Sequence, residues 1–532
     1  MILPTKIETT KSDDIRKPLP VETVLKHVST DNPTDKELIQ KAYDVAYKAH
    51  DGQTRFSGEP YLNHCIATAE YLARIGMAPN MIAAGLLHDT LEDTDVTEEV
   101  LRKEFNDDIC QMVKGVTKLE HVRYRGLKRH AESLRKLIAA TSQDVRVMII
   151  KLADRLHNAR TLEHVERKDK RLRIANETLE IYAPIADRLG MGLMKRELED
   201  AVFPIAYPDE YKKVMKIFKE LGGDDTKRLE RIHNSVRKKI SEYGIEKFRT
   251  EIRVKGKYSL FRKLQRKNWD ASKIRDIWAL RIIVPTVADC YTVFGIVQSE
   301  WRPVPGRVKD YIASQKPNGY RSIHTTILVG DGSVIELQIR TEEMHREAQF
   351  GVASHFAYKE TGGSISKKHP SGLRWILQFI PARLSFETNE QKQDAQLPHT
   401  YTGDQTPSWL KHLSFDQEEG DSNEFLKDVK TDFFNHRVFI FTPQGDVIDL
   451  PLDSSPIDFA YAVHSDIGNK MTGAKVNGKM ASLSTCLQNG DIVEIETSKN
   501  AHPNRKWIGL AKTTLAKRHI RTYLQKEQET KK

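Results

Sequence analysis

A chain of 532 residues is too long for one ordinary hydrophobic core, so about three domains are expected. With 39% hydrophobic and 30% charged residues and no run of eighteen apolar ones, the composition excludes a membrane span and a wholly disordered chain. The net charge of +10 favours anionic ligands such as nucleotides or RNA without choosing between them.

The first segment, 1–35, lacks the apolar core of a signal peptide, so a cytoplasmic location is expected. Residues 36–200 read as nearly continuous helix, because apolar residues recur every three or four positions with few breaks. Pro60 is suited to a helix start, and Gly76 with Pro79 to a turn before a helix at about Met81. Residues 201–247 read as a helical connection broken at Gly222 and Gly223. Over 248–360, β-branched runs at Thr250–Val254, Ile277–Val284, Ile323–Val329 and Val334–Ile339 alternate with helices, which predicts an α/β or α+β domain. Residues 361–432 read as a linker or insert, with Trp375 and Trp409 as docking anchors. A compact β unit follows at 433–498, then a basic, mildly helical tail at 499–532. The four cysteines, Cys65, Cys110, Cys290 and Cys486, show no CxxC spacing and read as free thiols.

Two constellations carry chemistry. In AAGLLHDTLEDTDVT, His88 and Asp89 end an apolar helical run, and Glu92 and Asp93 follow each by four residues, on one broad helical stripe. MIIKLADRLHNARTL places Asp154, His157, Asn158 and Thr161 on one face, and RFSGEPYLNHC offers His64. Two imidazoles with two carboxylates suit Mn2+, Fe or a similar divalent ion, and Glu92 and Asp93 could handle the attacking water.

The second constellation spreads over several strands. FRTEIRVKGKYSLFRKLQRK puts Arg253 and Lys255 on one face of a strand, and Ser259 opens a helix carrying Lys263. IRDIWALRIIVP supplies Asp276 and Arg281, and the loop GRVKDYIASQKPNGYRSIHTTI supplies Arg307, Lys309, Lys316, Tyr320 and His324. In GSVIELQIRT, Glu336, Gln338 and Arg340 alternate with Ile335, Leu337 and Ile339. Phosphoryl transfer needs cations for the phosphates, carboxylates for Mg2+ and a base for the nucleophile. The basic residues could supply the first, Asp276 and Glu336 the second, and Glu336 the third. Tyr320 is a stacking surface for a base.

These motifs resemble those of the long RelA/SpoT homologues. RFSGEPYLNH, LLHDTLEDT and KLADRLHNARTL are similar to the HD hydrolase domain of that family. The resemblance implies metal ligands at His64, His88, Asp89 and Asp154, here Mn2+. It also implies water activation by Glu92 and Asp93, and nucleotide contacts at Arg55, Asn158 and Thr161. Cys65 departs from the frequent proline. RVKGKYSLFRK, DIWALRIIV, KDYIASQKPNGYRSIHTT and ELQIRTEEMH are similar to the family's synthetase domain, which moves pyrophosphate from ATP to the 3′-hydroxyl of GDP or GTP. The match implies adenine between Arg253 and Arg281, and phosphates on Lys255, Lys263, Lys309 and Lys316, with Ser259 also at the nucleotide. It further implies guanine on Tyr320, His324 and Gln338 beside the acceptor, and Mg2+ on Asp276 and Glu336, the latter as base. Arg307-Val308-Lys309-Asp310 resembles the RxKD form of bifunctional members.

From HRVFIFTPQGDVIDL onward the chain resembles a TGS domain, which in this family meets the 3′ end of uncharged tRNA on the ribosome. His464 matches the contacting histidine. The expected architecture is therefore an all-α HD-type hydrolase domain, an α/β nucleotidyltransferase-like synthetase domain and a small β-grasp TGS domain, ending short of the family's later domains. The expected function is synthesis and hydrolysis of (p)ppGpp, with no membrane partner. The rival readings are a hydrolase whose synthetase fold senses nucleotide, and a tRNA- or ribosome-binding factor.

Overall fold

The computed structural model describes residues 17–120, 144–220, 226–271, 274, 277–313, 315–316, 319–329, 334–354, 437–444, 447–488, 490–498 and 500–530. Asp276, the expected linker with Trp375 and Trp409, and the break at Gly222 and Gly223 lie outside them. The chain divides into two compact units, with the described residues up to 354 in the first and those from 437 on in the second.

The first unit begins all-helical. Its elements are α1 (Glu22–Leu25), α2 (Pro33–Ala49), α3 (Leu62–Arg74), α4 (Pro79–Leu87), α5 (Thr90–Asp93), α6 (Glu98–Glu104), α7 (Asp107–Glu120) and α8 (Val145–Arg160). They continue with α9 (Lys168–Glu177), a π-helical turn (Thr178–Tyr182), α10 (Ala183–Arg188), α11 (Gly192–Ala206), α12 (Pro208–Glu220) and α13 (Thr226–Glu242). Asn32 caps α2 by accepting from Thr34 N, and Pro33 fits the first turn, where no amide partner is needed.

Two helices form the centre. α4 is apolar all round and buried from Met81 to Leu87, as a core helix must be. Gly85 lets α3 come close, since a Cβ there would stand 2.6 Å from Leu72 Cδ1. α8 is buried almost throughout and begins on Asp144, which accepts from Arg146 N. The Arg146 guanidinium then reaches Asp108 of α7 at 2.7 Å, a buried tie between the helices. The expected continuous helix breaks between Ala49 and Leu62: Thr54 and Pro60 pair as an isolated bridge, and α3 starts after Pro60 rather than on it.

The rest of the unit is a five-stranded sheet in the order β1-β2-β5-β4-β3, formed by β1 (Arg249–Val254), β2 (Trp278–Val284), β3 (Lys309–Asp310), β4 (Ile323–Leu328) and β5 (Val334–Thr341). β2 and β5 run parallel and the other pairs antiparallel. One face carries Leu280, Ile282, Ile323, Ile327, Leu337 and Ile339, covered by Val236 and Ile240 of α13 and by Val293 and Val297 of α15 (Val287–Glu300). The opposite face is polar. α14 (Lys257–Arg266) follows β1, and α16 (Glu342–Phe350) follows β5.

The helical and sheet parts meet along a backbone seam. Val352 N donates to Leu189 O at 2.9 Å, and Gly351 has φ +54. A Cβ on Gly351 would overlap Leu189 O and Gly190 C, and one on Gly192 would stand 2.7 Å from Ala348 O.

In the second unit β6 (Arg437–Phe441) and β7 (Val447–Pro451) form a hairpin, and β10 (Val493–Thr497), β8 (Met471–Val476) and β9 (Lys479–Ala481) form a sheet in that order. Phe441 pairs with Ile492, which joins the hairpin to the sheet. α17 (Pro456–Val463) opens with a reciprocal cap between Ser455 and Asp458. The fully buried Asp458 carboxylate also accepts from Lys512 N, Thr513 N and Thr513 Oγ1, so one carboxylate fixes the starts of α17 and α20 (Thr514–Thr530). No helix among the described residues is long and apolar enough to cross a membrane.

Candidate active sites

α3, α4 and α8 bring four side chains to one buried point. His64 sits in the first turn of α3, His88 caps the C-terminus of α4, Asp89 follows it, and Asp154 lies in the middle of α8. None is more than 6% exposed. His64 Nε2 lies 3.1 Å from Asp154 Oδ1, 3.4 Å from Asp89 Oδ2 and 3.2 Å from His88 Nε2. His88 Nε2 lies 3.1 Å from Asp89 Oδ2 and 4.0 Å from Asp154 Oδ1. Donors at right angles around a cation with bonds of about 2.1 Å stand about 3.0 Å apart, so the cluster has the size of a coordination shell. His88 Nδ1 is 2.8 Å from the carbonyl oxygen of Gly85, so Nδ1 carries the proton and Nε2 presents a lone pair. Carboxylate oxygens facing ring nitrogens in a buried space need a shared proton or a cation between them, and a bound cation would take the proton's place. The residues present therefore fit a divalent ion with mixed nitrogen and oxygen preference.

The surroundings hold this cluster in place. Lys151 Nζ pairs with Asp154 Oδ2 at 2.8 Å, both side chains buried. Asn158 Nδ2 donates to Asp154 Oδ1 at 2.5 Å, and Arg55 Nη2 donates to Asn158 Oδ1 at 2.5 Å. Burial works against the Asp154 carboxylate's charge, but Lys151 and His64 hold its pKa far below the ordinary range. Asp89 is likewise held low against its burial by His88 and His64. The Tyr61 hydroxyl lies 2.9 Å from Asp89 Oδ2 and 2.8 Å from Asp93 Oδ2. Burial and then Asp89 push that phenol's pKa up, so it stays a donor. Tyr61 thus ties the exposed Asp93 to Asp89, and the half-buried Glu92 precedes Asp93 in α5. Thr161, at the end of α8, donates to His157 O at 3.1 Å. Cys65 Sγ lies within 4.8 Å of donor atoms of His88 and Asp89, but burial, then Asp89, raise its pKa and keep it a thiol.

The polar sheet face assembles most of the second constellation. Glu251, Arg281, Gln338, His324 and Lys309 pair in one row across all five strands. Arg253, Ala279, Glu336 and Thr326 form the next row on the same face. The Tyr320 hydroxyl is 2.8 Å from His324 Nε2, His324 Nδ1 is 3.2 Å from Glu336 Oε1, and Gln338 Nε2 donates to that oxygen at 2.7 Å. Lys316 Nζ lies 4.6 Å from the Tyr311 ring centre and 5.0 Å from that of Tyr320. Burial, then Arg340 and Arg253, lower the Arg281 pKa to about 9, and burial lowers Arg340 and Lys316 as well. Crowded, desolvated cations on one face form an anion site. Lys255 directly follows β1, its backbone N bonded to Ile277 O, while Lys263 stands half-buried on α14. Ser259 opens α14 but donates to Glu199 Oε2 of α11 at 3.4 Å.

Glu199 is a buried carboxyl whose pKa burial raises from 4.5 to about 7. A carboxyl that keeps its proton longer when folded stabilises the fold below about pH 4.5, and that contribution is lost as pH rises through about 7. Glu199→Gln is therefore expected to match the wild type in acid and to gain up to about 3 kcal/mol on it by pH 8. Urea midpoints of both proteins at pH 5 and pH 8 measure this. An equal difference at the two pH values would remove the raised pKa.

Tyr61, Lys151, Glu251 and Arg340 were not assigned to a site by sequence reasoning. Lys151 and Asp154 are three apart on a helix, and Arg340 keeps the alternation of Glu336 and Gln338, so both carried a usable signal. In the second unit His464 is exposed, and its Nδ1 accepts from Asp466 N to cap α18 (Ser465–Asn469).

Three family models match in chain order: an HD domain over residues 42–192, the region found in RelA / SpoT proteins over 252–363, and a TGS domain over 438–497. The guanosine-3′,5′-bis(diphosphate) 3′-pyrophosphohydrolase of Aquifex aeolicus is 42% identical over 501 residues, 93% of this chain and 66% of that protein. The GTP pyrophosphokinase of Streptomyces coelicolor is 41% identical over 492 residues, 92% of this chain and 56% of that protein. The bifunctional (p)ppGpp synthase/hydrolase SpoT of Escherichia coli is 39% identical over 499 residues, 93% of this chain and 66% of that protein. The chain thus spans between about half and two thirds of the length of these relatives. With the three domains in order and this identity along nearly its whole length, the chain belongs to the RelA/SpoT homologues.

Proposed function

We propose that this chain both makes and destroys (p)ppGpp in the cytoplasm. The carrying observation is that two constellations coexist: a buried four-donor centre at His64, His88, Asp89 and Asp154, and a cationic sheet face with a carboxylate at Glu336. The activities by which the relatives are named, a pyrophosphokinase, a 3′-pyrophosphohydrolase and a bifunctional enzyme, support the same reading.

In hydrolysis, His64, His88, Asp89 and Asp154 would hold a divalent ion, read as Mn2+, which would supply Lewis acidity and a lower pKa for a bound water. Arg55, Asn158 and Thr161 hold the guanosine nucleotide at the mouth, and Glu92 and Asp93 manage the protons of the attacking water. The products are GDP or GTP and pyrophosphate. In synthesis, Arg253 and Arg281 flank the adenine of ATP, Lys255, Lys263, Lys309 and Lys316 hold phosphates, and Ser259 stands at the nucleotide. Tyr320 stacks on the guanine, His324 and Gln338 orient the acceptor, and Asp276 and Glu336 would hold Mg2+. Glu336 takes the proton of the 3′-hydroxyl as that oxygen bonds to the β-phosphorus of ATP and AMP leaves. The TGS unit, with His464 exposed, is the contact for the 3′ end of uncharged tRNA on the ribosome.

Nucleotide turnover by the purified chain tests this in two arms. ATP with GDP and Mg2+ is expected to yield ppGpp and AMP, and ppGpp with Mn2+ to yield GDP and pyrophosphate, the second blocked by a chelator. Hydrolysis without synthesis would leave the sheet face as a nucleotide sensor. Synthesis without hydrolysis would remove the metal reading of the helical cluster.

A further inference from the structure

Each imidazole of the helical cluster needs one nitrogen bare and the other protonated. For His88 the backbone settles this, because Gly85 O can only accept. Among the described residues, no such carbonyl faces His64. Its Nε2 faces Asp89, Asp154 and His88, and its Nδ1 faces Nδ1 of His157 at 2.8 Å. The two rings lie 4.9 Å apart and tilted by 41°, which places the contact along the ring edges. A hydrogen bond between two ring nitrogens contains one proton, so the two tautomers are locked together. If His64 presents a bare Nε2 to the cluster, its Nδ1 is N–H, His157 Nδ1 is the acceptor, and His157 carries its own proton on Nε2.

We propose that His157 is a positioning residue that selects the metal-binding tautomer of His64 and fixes its ring. The inference rests on the reading of the four-donor cluster as a metal centre. A histidine ligand ordinarily donates its second N–H to a carboxylate, a carbonyl or water. Here a neutral imidazole does the work, and the reason lies in what already surrounds the cluster. Asp89, Asp93 and Asp154 stand within one layer of side chains, with Lys151 buried against Asp154 and Arg55 reaching Asn158. A further carboxylate at position 157 would add a charge in a buried space, whereas an imidazole accepts without one.

The placement also explains the spacing on α8. Asp154 offers the cluster an oxygen, Asn158 one turn later donates to that same oxygen, and His157 between them reaches His64 of α3. One face of α8 thus supplies a donor atom, its brace, and the partner of a second donor on another helix. Thr161 Oγ1, bonded to the His157 carbonyl, anchors the same turn.

The test uses the full chain and Mn2+ as the probe, titrated calorimetrically. Asparagine places an amide oxygen near the position of the imidazole Nδ1, so His157→Asn keeps the acceptor, while His157→Leu removes it. The wild type is expected to bind Mn2+, His157→Asn to stay within about three-fold of it, and His157→Leu to bind 10- to 100-fold more weakly. Binding by the leucine variant as tight as the wild type overturns the proposal. So does an unchanged Mn2+ affinity with a raised KM for ppGpp, which would make His157 a nucleotide contact. No Mn2+ binding by the wild type overturns the metal centre itself. Should the leucine variant fail to fold, 15N spectra of the histidine-labelled wild type decide instead. They are expected to show His64 protonated on Nδ1 and His157 on Nε2, and the reverse assignment overturns the proposal.

Discussion

Asp154→Asn is expected to abolish ppGpp hydrolysis, by on the order of 10³-fold or more, while synthesis from ATP and GDP persists. The carboxylate has two oxygens with two tasks. Oδ1 faces His64 and His88 and takes the Asn158 bond, while Oδ2 pairs with the buried Lys151 ammonium. An amide keeps the shape but loses the charge that draws a cation to the cluster and compensates Lys151. The expected cost is therefore double: activity, and roughly 3 kcal/mol of stability in the helical part, because a buried ammonium loses its counter-charge. Lys151→Met on the asparagine background separates the two, restoring the melting temperature but not hydrolysis. Hydrolysis surviving in Asp154→Asn at more than a tenth of the wild-type rate would remove Asp154 from the centre.

Glu336→Gln is expected to lower synthesis by about 10²- to 10⁴-fold and leave hydrolysis unchanged. Glu336 Oε1 receives Gln338 Nε2 at 2.7 Å and faces His324 Nδ1 at 3.2 Å, and Tyr320 lies on the far side of that ring. The two neighbours orient the carboxylate across the polar face, so glutamine at this place would fill the space without accepting the 3′-hydroxyl proton. Steady-state rates at saturating ATP and GDP measure the loss. A fall in kcat with little change in KM for GDP fits a base, whereas a rise in KM alone would make Glu336 a binding group.

Much of both sites could be read from spacing, because each lies on regular elements. The alternation Glu336, Gln338, Arg340 lies on one face of β5, and the step from Asp89 to Asp93 is one helical turn, Asp93 N bonding Asp89 O, even though α4 ends at Leu87. What could not be read depends on approach between distant segments. Tyr61 touches Asp89 and Asp93 only because the loop before α3 folds against α5. His157 was visible on the right face of α8, but its partner is set by a 2.8 Å distance to another helix. β3 is two residues long, too short for any periodicity, yet it brings Lys309 into the row with His324. The loop between Ala49 and Leu62 was hidden because polar residues in a helix-rich stretch blur the 3.6-residue signal.

The glycine seam has a consequence for how such enzymes can be recombined. Gly351 and Gly192 let main chain rest on main chain between the helical and sheet parts, with Leu189 O bonded across it. Contacts made by side chains can be redesigned one at a time, but this one has no side chain to trim. A chimera that takes one catalytic half from a distant homologue must therefore import residues 189–192 and 348–352 as a matched pair. The interchangeable unit is the joined pair of catalytic parts, and a cut between them would fall on a surface where neither half has room to adapt.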